Sequence, residues 1–340
     1  MTNTTHRVGS PKLVATNLRM SYGGRQALFG LSFSLDAGRI LGFLGPNGAG
    51  KTTAIRILTT ILKPTSGRFS VDGISSDFPQ RIRSKIGVLP ESLGFHKQMT
   101  GLECVSYFGQ LYGRSAADAH EHGLALLEEV GLGKRARSLI GTYSRGMRQR
   151  LGIARALVND PVIVFLDEPT LGLDPRGQQE LLVMVRRIAK ERNAGIILCT
   201  HHLSEIEGYC DDVVILNAGR VVTSGSVAEV IGRAQRELSL RQIVKIHVPT
   251  AATAQAAKAL DSLSNVLKVV PSTETEGWLR VELDRSVDGD SSGTRVKNAI
   301  LDALIRAEIP ILNFEVEGGR LLDVFFHLTE NEDEQTSKNT

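Results

Sequence analysis

Residues Gly45 to Thr53 read Gly-Pro-Asn-Gly-Ala-Gly-Lys-Thr-Thr and follow the apolar run Ile40-Leu41-Gly42-Phe43-Leu44. Glycines ahead of a lysine and a hydroxyl, between a strand and a helix, form a loop that cradles phosphates. Gly45, Gly48 and Gly50 let the backbone curl with its N–H groups pointing at an anion, while Pro46, Asn47 and Ala49 fill the loop between them. The helix opening near Lys51 adds its positive end. Lys51 can reach β- and γ-phosphate oxygens as a point charge, the Thr52 hydroxyl can ligate Mg²⁺, and Thr53 continues the turn. The competing reading is a glycine-rich turn ahead of an ordinary helix.

A triphosphate site also needs a carboxylate for the cation and a group that handles the attacking water. Val162-Ile163-Val164-Phe165-Leu166 reads as a buried strand that delivers Asp167 and Glu168 at its exposed end. Asp167 can hold Mg²⁺ through water. Glu168, one residue on, points elsewhere and can polarise water toward the γ-phosphate. A merely solvated strand end is the alternative for this pair on its own.

These groups are positioned by elements whose pattern is legible along the chain. Strand-like runs occur at Leu13–Ala15 and Leu31–Leu35, and the loop helix runs to about Leu62 before Lys63-Pro64. Apolar residues at three- and four-residue spacing predict helices over Met99–Tyr112 and Ala116–Val130. Further helices are expected over Arg145–Val158 and Gln178–Arg192, and further strands over Gly195–Thr200 and Asp212–Leu216. Strands alternating with helices predict an α/β fold with a mixed, mostly parallel sheet and the phosphate loop at a strand's carboxyl end.

After about residue 235 the pattern changes. Alternating runs at Val244–Val248, Leu279–Leu283 and Leu312–Val316, a less defined strand near Val266–Val270, and helices over 251–263 and around Val296–Leu304 give a β-α-β-β-α-β order. A small α+β unit of ferredoxin-like type is expected, closed by a short helix over Leu321–Leu328. The expected organisation is a flexible leader over 1–12, a nucleotide-binding domain over 13–235 with a helical subdomain at about 92–158, an accessory domain over 236–329, and a disordered tail over 330–340.

Bulk properties narrow the class. With 340 residues, two domains are natural. A formal charge of +3 from 40 basic and 37 acidic residues gives no electropositive footprint for nucleic acid. Cys104, Cys199 and Cys210 are widely spaced and read as buried, reduced thiols. No run is long and apolar enough to cross a bilayer, and the polar N-terminus lacks the apolar segment of a signal peptide. Any action at a membrane is therefore expected to go through a partner. His120 and His122 flank Glu121 on a polar helix face and read as solvated.

Over about residues 13–235 the chain resembles the ATP-binding subunit of an ATP-binding cassette (ABC) transporter. Besides the phosphate loop and Asp167-Glu168, the resemblance rests on Tyr22 in Ser21-Tyr22-Gly23-Gly24, Gly87-Val88-Leu89-Pro90-Glu91 at the Q-loop position, and Tyr143-Ser144-Arg145-Gly146-Met147-Arg148-Gln149-Arg150 at the signature motif. Leu173-Asp174 matches the D-loop and Thr200-His201 the switch histidine, while Gly219-Arg220-Val221-Val222 followed by Gly225 matches the closing strand pair.

The resemblance implies an ATPase. Tyr22 would stack on adenine, and Glu168 and His201 would be catalytic. Thr52, Glu91 and Asp167 would hold Mg²⁺. Ser144, Arg145, Gly146 and Met147 would face the ATP of a second nucleotide-binding subunit, and Asp174 would lie at the D-loop. That second subunit is a copy of this chain or a relative. An integral membrane permease would be the further partner and would hold the chain at the cytoplasmic face of the membrane.

Three departures stand out. Glu91 replaces the usual glutamine, Arg145 the commoner glycine, and Met147 the commoner glutamine. Arg145 is expected to face solvent or a membrane partner, and His202 to be a surface histidine. Met99–Glu103, Phe108–Gly113, the Ser144-x-Gly146-Met147 form of the signature and the run Leu321–Thr329 resemble bacterial multidrug and antibiotic exporter ATPases. The appended domain could mediate dimer contact, regulate the cycle or only stabilise the chain. The alternative from another class is a soluble ABC ATPase acting on ribosomes or DNA. Such proteins carry paired cassettes or a long coiled-coil insertion, and this chain has neither.

Overall fold

A computed structural model of the chain describes residues 12–237, 242–264, 266–272, 275–283 and 292–317. Residues 1–11 of the expected leader over 1–12, the tail over 330–340 and the terminal helix over Leu321–Leu328 lie outside the described residues. Lys12, assigned to a loose leader, is tied down. Its Nζ pairs with Asp72 Oδ1 at 2.6 Å and its N–H bonds to the Leu35 carbonyl.

The chain divides into two compact units, Met1–Val227 and Ala228–Thr340. The expected boundary at 235 falls inside a helix, Val227–Glu237, because helical pattern continues past the last contacts of the first unit.

The first unit contains, in chain order, β1 (Leu13–Tyr22), β2 (Arg25–Leu35), β3 (Ile40–Leu44), α1 (Lys51–Leu58), β4 (Ser66–Val71), β5 (Ile74–Ser75), α2 (Pro79–Arg83), β6 (Ile86–Leu89), α3 (Gly101–Leu111), α4 (Ala116–Glu129), α5 (Arg145–Ala156), β7 (Ile163–Asp167), α6 (Pro175–Glu191), β8 (Gly195–Cys199), α7 (Leu203–Tyr209), β9 (Asp212–Asn217) and β10 (Arg220–Ser226). α8 (Val227–Glu237) follows.

The central sheet has the order β10-β9-β3-β8-β7-β6. Strands β9, β3, β8, β7 and β6 run parallel, and β10 closes one edge antiparallel. Every residue of β3 and β8 is buried, as parallel strands covered on both faces require. A second, antiparallel sheet has the order β2-β1-β4-β5. One apolar core joins Leu13, Leu28 and Val71 of that sheet to Phe43, Phe165, Ile197 and Val214 of the central one and to Ile57 and Leu58 of α1. Each such large side chain contributes about 1.5–3 kcal/mol by leaving water. The phosphate loop is therefore flanked at both ends by elements that belong to this core.

The helical subdomain is built from α3, α4 and α5, with α5 resting on β6. Local sequence explains its helix starts. Thr100 accepts from the Glu103 N–H at 3.1 Å while the Glu103 carboxylate accepts from the Thr100 N–H at 2.7 Å. Ser115 caps α4 in the same manner through the Asp118 N–H at 3.2 Å.

In the second unit, β11 (Gln242–His247), α9 (Thr253–Asp261), β12 (Val266–Pro271), β13 (Trp278–Leu283), α10 (Ser292–Arg306) and β14 (Asn313–Glu317) follow α8. Its antiparallel sheet has the order β12-β13-β11-β14. That is the ferredoxin-like arrangement expected from the element order. Alternation puts Val244, Ile246, Leu279, Val281 and Leu283 on one face, where Ala256 and Leu260 of α9 and Ile300 and Leu304 of α10 join them in one core.

Candidate nucleotide-binding site

At the carboxyl end of β3 the chain turns through residues 45–50 and enters α1 at Lys51. Gly50 has φ 102, and a Cβ there would stand 2.8 Å from Leu28 Cδ2, so only glycine fits without strain or displacement. α1 has no side-chain cap and no acidic residue in its first turn. Its N–H groups and positive end are thus left for an anion from outside the helix. Lys51 is buried, and its Nζ donates to the carbonyls of Gly45 and Pro46, which aims the ammonium back over its own loop.

A cavity of about 360 Å³ opens over this loop. Pro46 through Thr53 line it from the loop, and Glu91, Asp167, Glu168 and His201 line it from the ends of β6, β7 and β8. Three parallel strands thus deliver the chemistry-bearing residues to one edge of the sheet. Gly45 supports the loop from behind through its carbonyl.

Asp167 ends β7 and is half-buried. Burial, with the carboxylates of Glu168 and Glu91 nearby, pushes its pKa from 3.8 up to about 6. Glu168 sits at φ 48, a left-handed conformation unusual for a non-glycine residue. Its N–H bonds to the Cys199 carbonyl at 2.9 Å, which fixes that turn. The Glu168 side chain meets His201, whose Nδ1 lies 3.0 Å from both carboxylate oxygens. His202, expected at the surface, is half-buried, and its ring lies against that of His201, tilted by 38° with centroids 4.1 Å apart.

The oxygen donors of Thr52, Asp167 and Glu91 fit a hard divalent cation. Among the described residues no three His, Cys, Asp or Glu side chains form a protein-only metal cage. A cation held jointly by one or two side chains, phosphates and water suits this donor set.

Several expected residues lie away from the cavity. Tyr22 ends β1, is 45% exposed and is not among the lining residues. Ser144 caps α5 by accepting from the Met147 N–H at 3.2 Å, and Arg145, Gly146 and Met147 form that helix's first turn. Asp174 caps α6 without a side-chain bond. The signature and D-loop segments meet within this one chain. A Cβ at Gly146 would stand 3.7 Å from Leu173 Cδ2, and one at Gly172 would collide with the Arg145 guanidinium. Arg145 therefore does not simply point into solvent: its head packs on Gly172, whose φ of 69 and missing side chain make room for it.

The sequence pattern did not reveal Ala27 and Leu171, which complete the cavity wall. It also missed a buried bond between Thr170 and Glu205, two residues beyond Glu168 and four beyond His201. The spacing of Glu205 from His201 is the only signal that could have drawn attention to it. All three cysteines are buried and unpaired, and burial raises each thiol pKa.

Comparison with known proteins agrees with this geometry. Residues 28–171 match the family model described as ABC transporter. The chain is 30% identical over 318 residues to the linearmycin resistance ATP-binding protein LnrL of Bacillus subtilis (strain 168), covering 93% of this chain and 98% of that one. It is 33% identical over 311 residues to the daunorubicin/doxorubicin resistance ATP-binding protein DrrA of Streptomyces peucetius, covering 91% and 89%. Among solved structures it resembles the dimeric post-hydrolysis state of the ATP-binding cassette MJ0796 bound to ADP and Pi, with a TM-score of 0.57, 25% identity, and coverage of 63% of this chain and 98% of that one.

Proposed function

The chain belongs to the ATP-binding subunits of ABC transporters, and from that premise we infer that it powers an export permease by clasping and hydrolysing Mg·ATP between two subunits. The observation that carries this reading is the gathering of Lys51, Thr52, Glu91, Asp167, Glu168 and His201 around one cavity at the N-terminus of α1. The loop N–H groups and Lys51 bind the β- and γ-phosphates. Thr52, Asp167 and Glu91 would hold Mg²⁺, which would supply charge neutralisation on the phosphates. Glu168 accepts a proton from the attacking water. His201 holds the Glu168 carboxylate in place. Tyr22 supports the adenine from the end of β1.

A second subunit, most simply another copy, presents Ser144, Arg145, Gly146 and Met147 at the N-terminus of its α5 to the same γ-phosphate. ATP then joins the two, and its hydrolysis removes the bridging charge and releases them. Asp174 lies where the two D-loops approach. The permease is an integral membrane protein, and it holds this chain at the cytoplasmic face of the membrane. Among the described residues no helix is long and apolar enough to cross a membrane. The resistance functions in the relatives' names support outward transport of a drug-like or antibiotic cargo. They leave the ribosome- or DNA-acting reading without support.

Capture of the tagged chain from detergent-solubilised membranes of its source tests this. An integral membrane protein is expected to copurify with it. Recovery with ribosomes or DNA, and with no membrane protein, would overturn the reading.

A further inference from the structure

Thr170 is fully buried and Glu205 is 4% exposed. The Thr170 hydroxyl donates to Glu205 Oε1 at 2.6 Å, and Glu205 Oε2 has no hydrogen-bond partner. Folding alone does not account for this arrangement. An apolar pair of the same volume would fill the space without burying an unpartnered oxygen. The location gives the pair another meaning. Thr170 lies on the loop that leaves β7 after Glu168, and Glu205 lies on α7, which begins just after His201 and His202.

Two bonds therefore link the segment after β7 to the segment after β8. At the cavity, His201 meets Glu168 at 3.0 Å. Behind it, buried, Thr170 meets Glu205. The outer bond is exposed on its histidine side and joins a Glu168 backbone at φ 48, so a second, buried tie between the same segments adds to its hold on the carboxylate. The inner bond is shielded from water. The same loop continues through Leu171 N–H to Glu168 O at 3.2 Å and Leu173 N–H to Thr170 O at 3.0 Å, and ends at the segment on which Arg145 and Gly146 press.

We propose that Thr170 and Glu205 are a positioning pair that locks the Glu168 loop to the His201 loop, so that the water-activating carboxylate keeps its aim at the γ-phosphate. The pair touches neither nucleotide nor water and acts through Glu168. The inference rests on the ATPase reading above.

The test uses the full-length chain, with binding of a fluorescent ATP analogue and steady-state ATP hydrolysis measured side by side. Thr170→Val keeps the volume and removes the donor. It is expected to lower kcat by about tenfold or more, while KM and analogue affinity stay within about twofold of the parent. Thr170→Ser and Glu205→Gln each preserve a donor–acceptor pair and are expected to restore most of kcat. Thr170→Val combined with Glu205→Ala should be no slower than the slower single variant, as for two members of one unit.

Parent-like kcat in Thr170→Val, a loss that falls on nucleotide affinity, or strictly multiplicative losses in the double variant would each overturn the proposal. If Thr170→Val does not fold, as judged by circular dichroism, Thr170→Ala takes its place as the donor-free variant, and parent-like kcat in it overturns the pairing. A parent chain that neither binds nor hydrolyses ATP would refute the ATPase reading instead, and so the two failures are distinguishable.

Discussion

In the proposed mechanism Glu168 carries the chemical step, and its carboxylate lies 3.0 Å from His201 Nδ1. Replacing it with glutamine keeps the size and removes the base. Glu168→Gln is therefore expected to bind ATP like the parent and to lose about 100-fold or more in turnover, measured by phosphate release. Lys51 acts earlier, on binding. Lys51→Ala should weaken ATP affinity itself, and unchanged affinity in a nucleotide titration would count against the phosphate-loop assignment. Asp167 adds a pH dependence. Its pKa is raised to about 6 by burial and by Glu168 and Glu91, so below that value it carries a proton that a cation must displace. Mg²⁺ affinity of the ATP-bound chain is expected to fall as pH drops through about 6 and to be retained above it. Glu91→Gln removes one of the raising charges, so the fall should move to lower pH with ATPase activity retained. A Mg²⁺ titration on either side of that pH checks both, and a Glu91→Gln variant without activity would show that the carboxylate is required.

The elements hold these residues in register, and their contact points are individually testable. Gly87 in β6 faces the carbonyl of Ala156 in α5, and an added Cβ would collide with that backbone oxygen. Gly87→Ala is expected to cost about 1–3 kcal/mol, read from the urea midpoint, because it forces the signature helix off the sheet that carries Glu91. Most of this frame was legible in the sequence because buried parallel strands leave continuous apolar runs and amphipathic helices a three- to four-residue period. The misses have local causes. α1 stops at Leu58 rather than Leu62 because Thr60 turns to φ 63, and apolar Ile61 and Leu62 beyond it mimic another turn of helix. α6 begins at Pro175, three residues earlier than expected, since proline suits a helix's first position. β1 and β2 run far beyond the short runs read from alternation, because irregular register near Leu18 breaks the two-residue period. The site was legible where one motif carries several groups. It was not legible where residues distant in sequence come together, as with Arg145 on Gly172 or Thr170 on Glu205.

At the scale of the whole chain, every residue lining the cavity falls between Ala27 and His201, inside the first unit. A chain ending at Glu237 is accordingly expected to bind ATP within about twofold of the parent, and a large loss in that titration would assign the second unit a direct part in the site. The same geometry leaves Ser144 to Met147 outside their own cavity, at a helix N-terminus that, in the proposed mechanism, meets the ATP of a second subunit. The central claim is therefore that ATP is shared between two subunits. Sedimentation of the Glu168→Gln chain with and without Mg·ATP tests it most directly. The account predicts a monomer without nucleotide, a dimer with it, and no dimer when Ser144→Arg is added. A strict monomer at saturating Mg·ATP, from a parent chain whose turnover per molecule is independent of protein concentration and of Ser144, would contradict it.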